Sequence, residues 1–94
     1  MNDINGINDA ISDCIKTGIL NYDWSQFKEY LKNKLREIDN DESILENIFR
    51  DLDKIDKVPF TIQRICELIN APMKNYKNTK KFLFSFHKLV NLDY

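Results

Sequence analysis

Few side chains in this sequence could perform catalysis: the chain has one histidine and two cysteines, set against 15 aspartates and glutamates. The histidine, His87, stands beside a hydrophobic helical stripe and has no cysteine or second histidine at the spacing of a zinc site. We interpret it as a histidine on a helix surface or at the edge of the core. The carboxylates follow polar helix positions, where burial would not shift their pKa. With only two glycines for a phosphate-binding loop, the residues predict no catalytic site, no metal site and no cofactor.

The two cysteines, Cys14 and Cys66, fall on apolar stripes, which predicts two buried free thiols. The N-terminus is acidic and polar and shows no secretory signal, so we expect no disulfide between them. No apolar run approaches the roughly 20 residues that span a membrane. These features predict an intracellular protein that does not bind a membrane.

Binding chemistry is best represented by three polar residues, Gln63, Arg64 and Glu67, within the stretch from Val58 to Asn70. They occupy the face of a predicted helix opposite to its apolar stripe, so the core does not need them. Arg64 can donate two parallel hydrogen bonds to a carboxylate, or donate to backbone carbonyls, of a partner. The alternative is a solvated helix face with a weak Arg–Glu pair.

A second binding candidate is a basic ridge on another predicted helix, formed by Lys28, Lys32 and Arg36 at intervals of four residues. It could face an acidic partner, or it could be a solvated helix face. Charge is also uneven along the chain: residues 37–56 carry eight acids and two bases, whereas residues 57–94 carry seven bases and two acids. The net charge is only −1, but such polarity can orient the encounter with a charged partner.

The elements that must position these residues are helices. Apolar residues at 43% and charged residues at 31% indicate a globular chain, and two glycines with two prolines are too few for an all-β fold. We predict one all-α domain over residues 1–94, a compact bundle of about five helices. The predicted helices cover about 3–17, 24–38, 42–56, 62–70 and 79–90 or 91.

Local signals predict how several of these helices begin and end. Gly18 suits the position after the first helix, and Asp23 with Gln26 forms a capping-box pattern before the second. Thr61 is predicted to cap the fourth helix, with Phe60 packed on Ile65 as a hydrophobic staple. Pro72 predicts that this helix stops near Asn70. The stretch from Asp39 to Glu42 is predicted to be a turn, because Asp and Asn side chains can hydrogen-bond to the nearby backbone and so compete with helical hydrogen bonds.

The stretch from Val58 to Asn70 also carries a family resemblance. The run Pro59-Phe60-Thr61-Ile62-Gln63-Arg64, followed by Cys66-Glu67-Leu68, resembles the signature of the protein phosphatase 4 regulatory subunit 2 family. Trp24-Ser25-Gln26-Phe27-Lys28 is similar to an earlier segment of that family, and Lys16-Thr17-Gly18 precedes it as expected. Pro72, Tyr76 and Lys81-Phe82-Leu83 follow in register, so that the resemblance covers roughly residues 14–90.

The resemblance implies a non-catalytic regulatory subunit that binds a phosphatase catalytic subunit together with a scaffold subunit. It implies that Gln63, Arg64, Glu67, Lys28, Tyr76 and Lys81 contact the partner. It also implies action in the nucleus and cytoplasm on substrates such as DNA-damage-response phosphoproteins. Family members generally carry a long acidic tail after this domain, and we expect a short form without it.

A small helical nucleic-acid-binding domain is the alternative function. The fourth and fifth predicted helices, with the connection between them, could be mistaken for a helix-turn-helix. At the entry of the fifth helix stand four lysines that could bind phosphate or an acidic protein alike: Lys74, Lys77, Lys80 and Lys81. The predicted connection of about eight residues is longer than the 3–4 residues of that motif. The last helix also directs its aromatic residues to the predicted core, so we do not expect nucleic acid to be the partner.

Overall fold

Apolar residues recur every three or four positions along five segments, and each segment is a helix in the computed structural model. The structure describes residues 4–72, 74 and 77–92. Within this part of the chain there are five helices and no strand: α1 Ile4–Thr17, α2 Trp24–Ile38, α3 Glu42–Asp53, α4 Ile62–Asn70 and α5 Thr79–Val90. The predicted all-α class is therefore confirmed. The radius of gyration is 12.4 Å, as expected for a compact domain of this length.

Three helix ends are fixed by residues at their caps. Gly18 follows α1 with a positive φ of 78°, a conformation that only glycine adopts readily, and its N–H donates to the carbonyl of Cys14 at 2.7 Å. The carboxylate of Asp23 accepts the N–H of Gln26 at 3.0 Å and starts α2. The side chain of Asn78 accepts the N–H groups of Lys80 and Lys81 and starts α5.

The core lies where α1 packs on α4, α3 on α5, α2 on α3 and α4 on α5. Each of the apolar stripes predicted from the sequence faces it. The largest fully buried side chains come from four helices: Phe27, Leu31, Leu35, Leu45, Ile48, Leu52, Ile65, Ile69, Phe82, Leu83, Phe86 and Val90. Burial at these positions is the main stabilising contribution to the fold.

The entry into α4 differs from the prediction. Thr61 precedes α4 but makes no side-chain cap bond; its hydroxyl instead donates to the carbonyl of Leu89 at 3.4 Å. The ring of Phe60 is 75% exposed, so the predicted staple on Ile65 is wrong. The physical reason for the missing cap is the backbone: Thr61 has φ −83° and ψ 7°, whereas a capping residue adopts an extended conformation that turns its side chain toward the first N–H groups of the helix.

The end of α3 also differs, because the helix stops at Asp53 and not at Asp56. The N–H groups of Lys54 and Ile55 bond to carbonyls three residues earlier, at 3.2 and 3.1 Å, and tighten the last turn. Ile55 remains buried. Its carbonyl accepts the indole N–H of Trp24 at 2.9 Å, so the chain leaves the helix here to meet α2.

Both cysteines lie in the core and are free thiols, as predicted. Burial raises the pKa of the Cys66 thiol and, less strongly, the pKa of the Cys14 thiol. Burial thus opposes formation of a reactive thiolate at either position. None of the described helices has the length and apolar character that crossing a membrane requires.

Candidate functional site

The outward side of α4 carries the polar residues predicted to bind a partner. Gln63, Arg64 and Glu67 are all exposed, while the rest of the helix up to Ile69 is buried. We call these three residues the α4 polar face. The apolar side of α4 is held against α1 and α5, so the α4 polar face is presented on a fixed element.

Gln63 has a structural task in addition to its exposure. Its side-chain amide donates to the backbone carbonyl of Ile15 at 2.8 Å. Ile15 lies in the last turn of α1, where carbonyls have no partner within their own helix. Gln63 therefore caps α1 from α4 and fixes the two helices relative to each other.

Arg64 and Glu67 form an ion pair of 3.2 Å along α4, with side chains that are 49% and 41% exposed. An exposed pair at this spacing stabilises a helix by only about 0.3–0.5 kcal/mol. The guanidinium has five N–H donors, and only Nη1 contacts Glu67. The pair can therefore rearrange toward a partner at little energetic cost.

Arg64 also borders a groove between α4 and α5. This α4–α5 groove has a volume of about 210 Å³ and is lined by Arg64, Leu68, Ser85, Lys88, Leu89 and Leu92. Sequence reasoning missed it, because the packing of α4 against α5 cannot be read from either helix alone. The available signal was the spacing of Ser85, Lys88 and Leu92, which places them together beside the buried stripe of α5.

The basic ridge on α2 is directed at α3. Lys32 Nζ lies 2.7 Å from Asp53 and 3.3 Å from Glu29, and its side chain is only 13% exposed. Burial alone would lower the pKa of Lys32, but hydrogen bonds to Asp53 and Glu29 outweigh it and raise that pKa. The guanidinium of Arg36 lies 4.8 Å from the ring centroid of Phe49. Lys32 thus pairs with one acid of α3, and Arg36 packs on an aromatic ring of the same helix.

Lys28, a predicted partner contact, is likewise engaged within the fold. Its Nζ donates to the carbonyl of Ile55 at 3.1 Å and lies 5.9 Å from the ring centroid of Trp24. Lys81 is exposed on α5, and its backbone N–H contributes to the cap at Asn78. The remaining predicted contact, Tyr76, lies outside the described residues.

His87 pairs with Asp51, with Nε2 2.6 Å from Oδ2 and side chains that are 26% and 20% exposed. The hydrogen bond from His87 lowers the pKa of Asp51. This is the core-edge histidine that the sequence predicted, and it joins α5 to α3. Among the residues that the structure describes, no group of three histidine, cysteine or acidic side chains is placed to hold a metal ion.

Comparison with known proteins identifies the family. The sequence pattern of the PPP4R2 family matches residues 37–93, from the end of α2 through α5. The chain belongs to the PPP4R2 family. The resemblance predicted from the motif around Arg64 is thereby confirmed.

Curated PPP4R2 relatives extend the match toward the N-terminus. Serine/threonine-protein phosphatase 4 regulatory subunit 2-A of Danio rerio is 33% identical over 101 residues, covering 85% of this chain and 24% of the relative. Serine/threonine-protein phosphatase 4 regulatory subunit 2 of Homo sapiens is 33% identical over 96 residues, covering 80% and 23%. The chain thus spans about a quarter of the length of these relatives. No solved structure matches it.

The names of these relatives are those of phosphatase regulatory subunits and not of catalytic subunits. This agrees with the expectation, drawn from the residues, that the chain is not an enzyme. The family match includes Gln63, Arg64 and Glu67. It also includes the whole groove-facing side of α5, which the sequence had not singled out.

Proposed function

We propose that this chain is a non-catalytic regulatory subunit of a serine/threonine protein phosphatase 4-type complex, and that it binds the catalytic and scaffold subunits to direct or modulate dephosphorylation. The observation that carries the proposal is family membership across most of the chain. The α4 polar face also supports the proposal, because its residues match the family signature and lie outside the core.

Arg64 is the residue that we expect to contribute most to partner binding. It is exposed on α4 and borders an apolar groove. Within the part of the chain that the structure describes, only its Nη1 contacts Glu67, so further guanidinium N–H donors remain for a partner. Arginine is enriched among the residues that dominate protein–protein affinity. Lys81 is a second exposed cation, on α5. Gln63 contributes by joining α4 to α1, and Lys28 by joining α2 to the chain after α3.

Nucleic-acid binding has weaker support from the geometry. Eight residues separate the end of α4 at Asn70 from the start of α5 at Thr79, more than the 3–4 of a helix-turn-helix. Of the phenylalanines of α5, Phe82 and Phe86 are fully buried and cannot stack on bases, whereas Phe84 is exposed.

Affinity capture from cell extract tests the proposal. The tagged chain should retain a protein phosphatase 4 catalytic subunit together with a scaffold subunit, identified by mass spectrometry. Arg64→Glu should retain less of both subunits. Arg50→Glu is its matched control, because Arg50 is likewise an exposed arginine bonded to a residue three positions away on its own helix. Capture that yields no phosphatase subunit, or yields nucleic acid in its place, would contradict the proposal.

The site of action in the nucleus and cytoplasm is part of the same proposal and follows from the family resemblance. A fluorescent fusion of the chain, imaged in cells that contain the phosphatase subunits, should appear in both compartments. Fluorescence confined to the secretory pathway would refute this part.

A further inference from the structure

The α4–α5 groove combines an apolar floor with a basic rim. Leu68 is buried, Leu89 is partly buried, and Leu92 is 52% exposed, so the leucine surface continues from the core to solvent. Lys88 stands exposed at the rim, and Arg64 closes the other side. The described residues that line the groove include no carboxylate.

The charges at the rim are available to a partner. Lys88 has no carboxylate within 4.0 Å among the described residues. Arg64 keeps guanidinium N–H groups beyond the one that contacts Glu67. The groove therefore offers positive charge next to exposed leucine, and its complement is a carboxylate next to an apolar side chain.

The size of the groove favours part of a peptide over a small molecule. Its volume of about 210 Å³ lies below the roughly 300–1,000 Å³ of typical ligand pockets. A side chain or two from a docked segment fit such a volume, and the flanking main chain would lie along α4 and α5. Helical segments commonly bind grooves in this way through their apolar faces.

We propose that the α4–α5 groove binds a short amphipathic segment of a partner protein, in which leucine-type side chains stand beside carboxylates. The apolar side chains cover Leu89 and Leu92, and the carboxylates pair with Lys88 and Arg64. The identity of the partner rests on the proposed function: the segment belongs to another subunit of the phosphatase complex. This assigns a binding role to Ser85, Lys88, Leu89 and Leu92, which the family signature around α4 does not include.

Two labelled synthetic peptides test the chemistry without the phosphatase. Both are amphipathic helices of about 15 residues, long enough for marginal helix formation, with leucines on one face and either glutamates or lysines on the other. Fluorescence anisotropy measures their binding to the wild type, Lys88→Glu and Ser85→Trp. Lys16→Glu is the matched control, because Lys16 is also an exposed lysine in the last turn of its helix.

The glutamate peptide should bind at least about tenfold more tightly than the lysine peptide. Lys88→Glu should weaken its binding about threefold or more, as reversal of an exposed ion pair predicts, and Ser85→Trp should block the groove. Lys16→Glu should bind as the wild type does. Lys88→Glu tests the charge at an exposed position, so the result does not depend on whether Ser85→Trp folds.

The groove proposal would be overturned if the two peptides bind equally or if neither binds. It would also be overturned if Lys88→Glu and Lys16→Glu change the binding equally. A parallel titration with a purified phosphatase 4 catalytic–scaffold complex separates the two proposals. If the wild type binds the glutamate peptide but not this complex, the proposed function fails and the groove chemistry stands. If the complex binds the wild type and Lys88→Glu equally, the segment does not belong to that complex.

Discussion

Replacement of Trp24 by alanine should destabilise the fold more than any change on the α4 polar face. Trp24 is 8% exposed and stacks on Phe27, with ring centroids 6.3 Å apart. Its indole N–H donates to the carbonyl of Ile55 at 2.9 Å. One side chain therefore joins the start of α2 to the chain just after α3.

The magnitude follows from these contacts. Removal of a buried aromatic side chain costs about 3–5 kcal/mol, which for a domain of this size lowers the melting temperature by at least about 12 °C. Trp24→Phe keeps an aromatic ring but loses the hydrogen bond, so the loss attributable to that bond should be about 1 kcal/mol. In Trp24→Phe, Lys28 still donates to the Ile55 carbonyl. The loss of the indole therefore does not leave this carbonyl without a hydrogen bond, which limits the loss of stability.

Thermal and urea unfolding followed by circular dichroism measures both variants. Phe84→Ala is the control, because Phe84 is an aromatic residue that is 58% exposed on α5 and its loss should change stability by less than about 0.5 kcal/mol. A Trp24→Ala protein that melts within a degree or two of the wild type would refute the assignment of Trp24 as a core anchor.

Three further predictions follow from single contacts or from charge. Gln63→Ala should lower stability by about 1 kcal/mol, because it removes the hydrogen bond to the Ile15 carbonyl; an unchanged melting curve would disprove this role. His87 lowers the pKa of Asp51, so the stabilisation is present above the ordinary aspartate pKa of about 3.9 and is lost as pH falls through the lowered value. The stability gap between the wild type and Asp51→Asn should therefore narrow below about pH 4, and a gap that widens there would contradict the sign. Association with the phosphatase complex should slow as salt rises, since residues 57–94 carry a net charge of +5 that salt screens; stopped-flow rates that stay flat would argue against electrostatic steering.

The fold could be predicted because its information is local. Each helix carries a stripe of apolar residues at helical spacing, and Gly18, Asp23 and Pro72 mark boundaries through their own backbone or side-chain chemistry. The failures occurred where a tertiary partner replaced a local one. Thr61 had the right type for a cap, but its backbone is not in the extended conformation of a capping residue, and its hydroxyl donates to the distant carbonyl of Leu89.

The candidate site was only partly predictable for the same reason. Helical geometry alone placed Arg64 and Glu67 on an exposed face. It could not show that Lys32 would turn to Asp53, since such a pair depends on how α2 crosses α3. The α4–α5 groove also depends on two helices, so neither Leu68 nor Leu92 indicated it from sequence position alone.

Binding of Arg64→Glu to the purified phosphatase 4 catalytic–scaffold complex tests the central claim most directly. Isothermal titration of the wild type, Arg64→Glu and the matched Arg50→Glu, with melting temperatures recorded for each, separates binding from folding. We expect all three to melt alike, Arg50→Glu to bind as the wild type does, and Arg64→Glu to bind more than about tenfold more weakly, or about 1.4 kcal/mol. Wild-type affinity in Arg64→Glu would contradict partner binding through the α4 polar face, and absence of binding by the wild type would contradict the phosphatase role itself.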